Sequence, residues 1–192
     1  MPIVESNSEL VSDSLWASDE KNNNYNHMKK SVLILLLLAL LASCTPQTDS
    51  SAKNVELIKK YVEAVEQNDT AVMENLLADD YVGLGPSVND SIDKTGAIAN
   101  WKENIGNLYE SIKYSKSRVL SANVPDGENK GEWVSNWAEL KIVYKKDQKE
   151  VTVWTNTVYK IENNKITKSF TFYNEADVLE QLGYVFINPD NL

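Results

Sequence analysis

Apolar positions along the chain change rhythm from one stretch to the next. From Val32 to Ala42 they are continuous (VLILLLLALLA), leaving no polar face, so this run is not a surface helix of a folded domain. From Val55 they recur at three- and four-residue steps, through Val55, Ile58, Val62 and Val65, with Leu57, Tyr61 and Ala64 widening the stripe. That spacing predicts a helix capped by Asn54 and ending near Gln67-Asn68. A second helix follows the cap Asp69, with Val72, Met73, Leu76 and Leu77 on one side, and closes at Ala78-Asp79-Asp80. Residues 81–85 read as a short extended piece, and Gly85-Pro86 with Asn89-Asp90 marks a loop. A third helix starts at Asp93 or Thr95 and carries Ile98, Trp101, Ile105 and Leu108.

Beyond it the period shortens to two. Tyr114 to Val124 is β-rich, Pro125-Asp126-Gly127 is a turn, and three longer alternating runs follow. In the run from Glu132 to Tyr144, Val134, Asn136, Ala138, Leu140 and Ile142 form the more uniformly apolar face, opposite Trp133, Ser135, Trp137, Glu139 and Lys141. From Val151 to Ile161, Val151, Val153, Thr155, Thr157 and Tyr159 oppose Thr152, Trp154, Asn156 and Val158. Glu162-Asn163-Asn164-Lys165 turns the chain into Ile166 to Tyr173, with Phe170 and Phe172 on one face and Ser169, Thr171 and Tyr173 on the other. Asn174 caps a last helix that Gly183 stops. Three helices, a strand meander and a short helix make an α+β layout with one core, and no internal repeat is evident.

The apolar run has its own meaning. Eleven residues at about 1.5 Å each span roughly 16 Å, about half of a ~30 Å bilayer core. Met28-Lys29-Lys30 gives it a basic start and Leu41-Ala42-Ser43-Cys44 places small residues before the only cysteine, the three parts of a signal peptide. The pattern resembles the lipobox of bacterial lipoproteins, which implies acylation of Cys44. An uncleaved anchor with residues 1–27 in the cytoplasm is the alternative. On the lipoprotein reading Met28 is the expected start and residues 1–27 are an upstream, disordered extension. Residues 28–43 are then the signal segment, 44–53 a flexible tether of small polar residues, 54–184 the domain and 185–192 a tail. Thr45, rather than an aspartate, follows the cysteine, which favours the outer over the inner membrane in a cell with two.

Charge narrows the partners. The chain carries 19 Lys and Arg against 28 Asp and Glu, so nucleic acid and anionic headgroups are poor partners for its surface. The membrane is reached through lipid on Cys44.

The element order, with Tyr61-Val62-Glu63-Ala64, Leu76-Leu77-Ala78-Asp79-Asp80-Tyr81, the Trp-bearing strands and residues 172–184 (FYNEADVLEQLGY), resembles the SnoaL-like branch of the nuclear transport factor 2-like superfamily over roughly residues 54 to 184. The resemblance implies a cystatin-like layout: a curved antiparallel sheet forming a cone on the N-terminal helices, with an internal pocket. It also implies a spread of functions that fold alone does not decide. Isomerases of that kind need a carboxylate base and an oxyanion hole. Tyr61 matches the donor tyrosine, but Gly85 stands where the base belongs and no acid lies near Thr157, the place of the second donor. The only histidine is His27, outside the domain, so histidine-based dehydration and serine nucleophiles lack a partner. The sole arginine, Arg118, has no paired carboxylate at near spacing, as the epoxide hydrolases' relay requires.

No metal cluster, phosphate loop or cofactor motif appears, and no cofactor is expected. What remains is aromatic: Tyr61, Tyr81, Trp101 and Tyr173, with Trp133, Trp137 and Trp154 and with Asn156 or Asn136 as polar tips. These are the expected ligand contacts for a small apolar or aromatic molecule in the cone. A carboxylate such as Asp80 or Glu139 facing that pocket would instead point to an enzyme. An open sheet face pairing with a second copy of the chain is the third reading.

Overall fold

The computed structural model describes residues 49–188 and 190, which belong to one contact unit, Gln47–Leu192. Cys44, the signal segment 28–43, the extension 1–27 and His27 lie outside the described residues. Among the described residues no helix is long and apolar enough to cross a membrane.

Helix α1 (Asp49–Glu66) begins five residues before the expected cap. Asn54 is therefore a buried interior position, and residues 49–53 of the expected tether are helical. The added turn has a surface to lie on, since Ser51 and Ala52 share a groove with Val119 and Leu120. Helix α2 (Thr70–Leu76) follows, its N-terminus capped by Asp69, whose carboxylate accepts from the Val72 N–H at 3.0 Å. It ends short of Ala78-Asp79-Asp80 because Leu77 turns extended and pairs in parallel with Ile166. Local helix propensity yields to a buried strand pairing at this point. Strand β1 (Leu77–Leu84) and the short β2 (Ser91–Asp93) bracket the Gly85-Pro86 loop. Helix α3 (Lys94–Glu103) starts on the cap Asp93 and runs into a π-helical turn, Asn104–Leu108, where a longer α-helix was expected. Gly106 lies within that turn, and glycine weakens helix interiors.

Strands β3 (Tyr109–Val124), β4 (Gly131–Tyr144), β5 (Glu150–Glu162) and β6 (Lys165–Tyr173) form the predicted antiparallel meander. The β5–β6 connection has both Asn163 and Asn164 at positive φ, the conformation that type I′ hairpins require. The complete order is β2-β1-β6-β5-β4-β3, a curved, open six-stranded sheet with helices. Helix α4 (Glu175–Leu182) is capped by Asn174 and closed by Gly183 at φ 96°.

The core lies between α1, α2 and the concave face. Ile58, Val65 and Met73 meet Val134, Ile142 and Ile166 there, and a smaller cluster of Val151, Val153 and Val178 seats α4 on β5. Ile58 is fully buried at the centre, so Ile58→Ala is expected to cost about 2–5 kcal/mol of unfolding free energy, read as a lowered urea midpoint with an unchanged slope.

Candidate functional site

The concave face does not close on itself. It encloses a cavity of about 540 Å³, within the range of small-molecule sites. Of the nine tyrosines in the chain, eight line it. Tyr61 comes from α1, Tyr81 from β1, and Tyr109 and Tyr114 from β3. Tyr144 ends β4, Tyr159 lies in β5, Tyr173 ends β6 and Tyr184 follows α4. Trp101 from α3 and the hydroxyls of Thr155, Thr157, Ser169 and Thr171 complete the deep wall. Asn100, Leu108, Glu175 and Tyr184 are exposed and mark the mouth.

The strand pleat explains this gathering. Even positions of β4, odd positions of β5 and, past a register shift after Ile166, odd positions of β6 from Ser169 share the concave face. In β3 the register slips by one residue between Tyr109 and Ser111. That irregularity places Tyr109 opposite Tyr144 and keeps Ile112 and Tyr114 opposite Ile142 and Leu140.

The polar tips of the wall engage one another. The Tyr81 and Ser169 hydroxyls are 2.7 Å apart, and those of Thr157 and Thr171 are 3.2 Å apart. The Tyr109 and Tyr144 rings stand edge to face at 5.3 Å. Tyr61 packs edge to face on Tyr159 at 5.9 Å and meets the Trp101 indole. Burial pushes the phenols of Tyr61 and Tyr159 well above their ordinary value of 10.0. Tyr114 rises for the same reason, with Tyr61 and the Glu66 carboxylate adding to it. Tyr173 is raised by burial and then by Glu175. The phenols are neutral in this wall.

Tyr61, Tyr81, Trp101 and Tyr173 are thus brought together at the cavity, while the other expected contacts stand elsewhere. Trp133 is buried on the convex side, beside Phe170, with its indole N–H donating to the Asn129 carbonyl at 2.7 Å. Trp137, Trp154 and Asn156 also face outward; Asn156 accepts from the Ser135 hydroxyl. Asn136 points inward, but it is buried and accepts from Ser117. The physical reason is parity: these tryptophans occupy the opposite pleat from the buried valines and isoleucines. Sequence reasoning missed Tyr109, Tyr114, Tyr144, Tyr159 and Tyr184. Tyr144 and Tyr159 had a usable signal, because each shares its strand's apolar parity.

Neither Asp80 nor Glu139 lines the cavity. Asp80 is exposed, and Glu139 is on the convex side, where a hydrogen bond from Lys116 at 2.5 Å holds its carboxyl below the usual range. Gly85 abuts Thr171, with no carboxylate at that position. Arg118 is exposed and donates to the Ser117 carbonyl oxygen at 3.0 Å. Among the described residues, the one carboxylate lining the cavity is Glu175 at its mouth, and no Lys, Arg or His lines it.

No family model matches the sequence, and no curated protein matches it. Solved structures do. A candidate polyketide cyclase from Xanthomonas campestris superposes with a TM-score of 0.58 at 13% identity, over 69% of this chain and 98% of that one. A candidate SnoaL-like polyketide cyclase from Shewanella denitrificans gives 0.53 at 13%, over 66% and 94%. A Catenulispora acidiphila protein with a ketosteroid isomerase-like fold, in complex with trimethylamine, gives 0.53 at 14%, over 68% and 94%. The domain shares the fold of these proteins, an α+β cone of the nuclear transport factor 2-like kind.

The buried phenols set an alkaline limit. Their pKa values are higher folded than unfolded, so above pH 10 the unfolded chain has lost protons that the folded one retains, and stability falls as pH rises. Phenolate absorbance at 295 nm is expected to climb in a cooperative step coincident with loss of the circular dichroism signal. Titration of the buried tyrosines near pH 10 in a still-folded protein would contradict the burial.

Proposed function

We propose that the chain is a lipoprotein anchored at the cell envelope through Cys44, the outer membrane in a cell with two, and that its SnoaL-like domain binds a small molecule of apolar or aromatic character in the cone. The observation that carries the binding reading is the cavity itself: an open volume lined by aromatic rings, with four of its hydroxyls paired in the wall. A filled cone would have argued for packing alone. The similar fold seen in complex with trimethylamine adds support, since a small molecule occurs with that protein. The carboxylates weighed as catalytic groups, Asp80 and Glu139, stand outside the cavity, which favours binding over proton-transfer chemistry.

The convex face supports a second reading. Trp154 is 60% exposed, Phe172 53% and Trp137 40%. The patch is flanked by paired charges, Lys116 with Glu139 and Lys141 with Glu150, and the Lys116 ammonium sits 5.7 Å from the Trp154 ring centre. An aromatic centre with a mixed-charge rim suits self-association. On this reading two copies pair through the sheet, leaving both cavities open.

Two measurements test these readings. Mass spectrometry of the protein purified from native membranes is expected to show Cys44 acylated at a new N-terminus, and a retained small molecule that dissociates on activation. An unmodified chain starting at Met1 would overturn the lipoprotein reading. Analytical ultracentrifugation is expected to show a dimer, with the Trp154→Thr, Phe172→Thr double variant sedimenting as a folded monomer. A wild-type monomer at high concentration would remove the second reading.

A further inference from the structure

The lining has a chemical bias that narrows the ligand. This step rests on the reading of the cavity as a binding site. Its wall carries eight tyrosines and a tryptophan, one carboxylate, and no cationic side chain among the described residues. An anionic ligand entering it would lose its water without gaining a counter-ion. A polyol would need many free donors and acceptors, whereas Tyr81 with Ser169 and Thr157 with Thr171 have satisfied each other. With those hydroxyls engaged, the ring faces of the tyrosines and Trp101 are a large part of what the wall offers.

Aromatic rings carry negative potential on their faces, which attracts cations, most effectively where water is excluded. Two carboxylates reinforce that field from fixed positions. Glu175 stands at the mouth in the first turn of α4. Glu66 lies behind Tyr114, accepting from its backbone N–H at 2.6 Å. From Cys44 onward the sequence has 16 Lys and Arg against 23 Asp and Glu, so the long-range field also draws cations inward. A primary ammonium is strongly hydrated and would need several acceptors to replace its water. Alkylation removes that requirement and adds apolar surface, and the volume of about 540 Å³ leaves room for a further apolar substituent. We infer that the cavity takes an organic cation bearing an alkyl-substituted ammonium group, held against tyrosine and tryptophan rings with Glu175 closing the charge balance at the mouth.

Calorimetric titration of the full chain with choline and with its neutral carbon analogue, 3,3-dimethylbutan-1-ol, separates charge from shape. Choline is expected to bind about tenfold tighter or more. Tyr173→Phe keeps the ring and retains that preference, whereas Tyr173→Leu loses most of it. Because Tyr173 is half-buried, circular dichroism checks that both variants fold, and the exposed Glu175→Gln provides a second route, weakening choline about two- to fivefold and reducing its salt dependence. Equal binding of the two probes, or tighter binding of the alcohol, would overturn the cation inference and leave the cavity as an apolar site. So would binding of benzyl alcohol with neither of the paired probes. If benzyl alcohol, choline and the analogue all fail to bind, the small-molecule reading of the cavity falls, and this inference falls with it.

Discussion

The alternation of side chains across β4, β5 and β6 decides what each face of this domain can do. Along β5 it sends Val151, Val153, Thr155, Thr157 and Tyr159 inward and Trp154 and Asn156 outward; along β4 it sends Val134, Ala138, Leu140 and Ile142 inward and Trp137 outward. A slip of one residue would exchange the two sets. The apolar core, the tyrosine wall and the exposed indoles are therefore one constraint seen from three sides. The helices respond to it: α1 and α2 cover the valine and isoleucine end of the concave face, and α4 packs on Val151 and Val153 at another part of it.

The cavity wall solves a specific energetic problem. Burying a hydroxyl without a partner costs free energy, and this wall buries several. Lateral pairing between tyrosines, threonines and Ser169 removes that cost without recruiting a ligand. The result is a lining that presents both ring faces and polar edges to the cavity. Large rings held edge to face brace the lining, Tyr61 of α1 against Tyr159 of β5 and Tyr109 against Tyr144 across the β3–β4 pair.

The helices and the β meander were legible in the sequence because periodicity reports burial directly, and so were the caps at Asp69 and Asn174, while Asp93 was one of two starts offered and β2 was read as loop. Asn54 misled because a capping residue type also fits a buried helix position. Leu77 read as helix because its strand partner, Ile166, lies far away in sequence. At the site, Tyr61, Tyr81, Trp101 and Tyr173 were found by aromatic content. Trp133, Trp137 and Trp154 were grouped with them by the same content, although pleat parity sets them on the other side. Tyr109 was beyond reach, since its inward position depends on an irregularity in β3 that no local motif marks. Eight tyrosines converge on one space only once the sheet is curved.

On the proposed reading, in which lipid on Cys44 holds the domain at an envelope, the open cone would capture a dilute small molecule. The most direct measurement of that claim is NMR of the protein with labelled tyrosine rings and tryptophan indoles, titrated with a small-molecule panel that includes alkylammonium compounds. The account predicts saturable shifts in the tyrosines and Trp101, with the Trp137 and Trp154 indoles unmoved. Saturable shifts at Trp137 and Trp154 while the tyrosines stay silent would contradict it and place binding on the convex face.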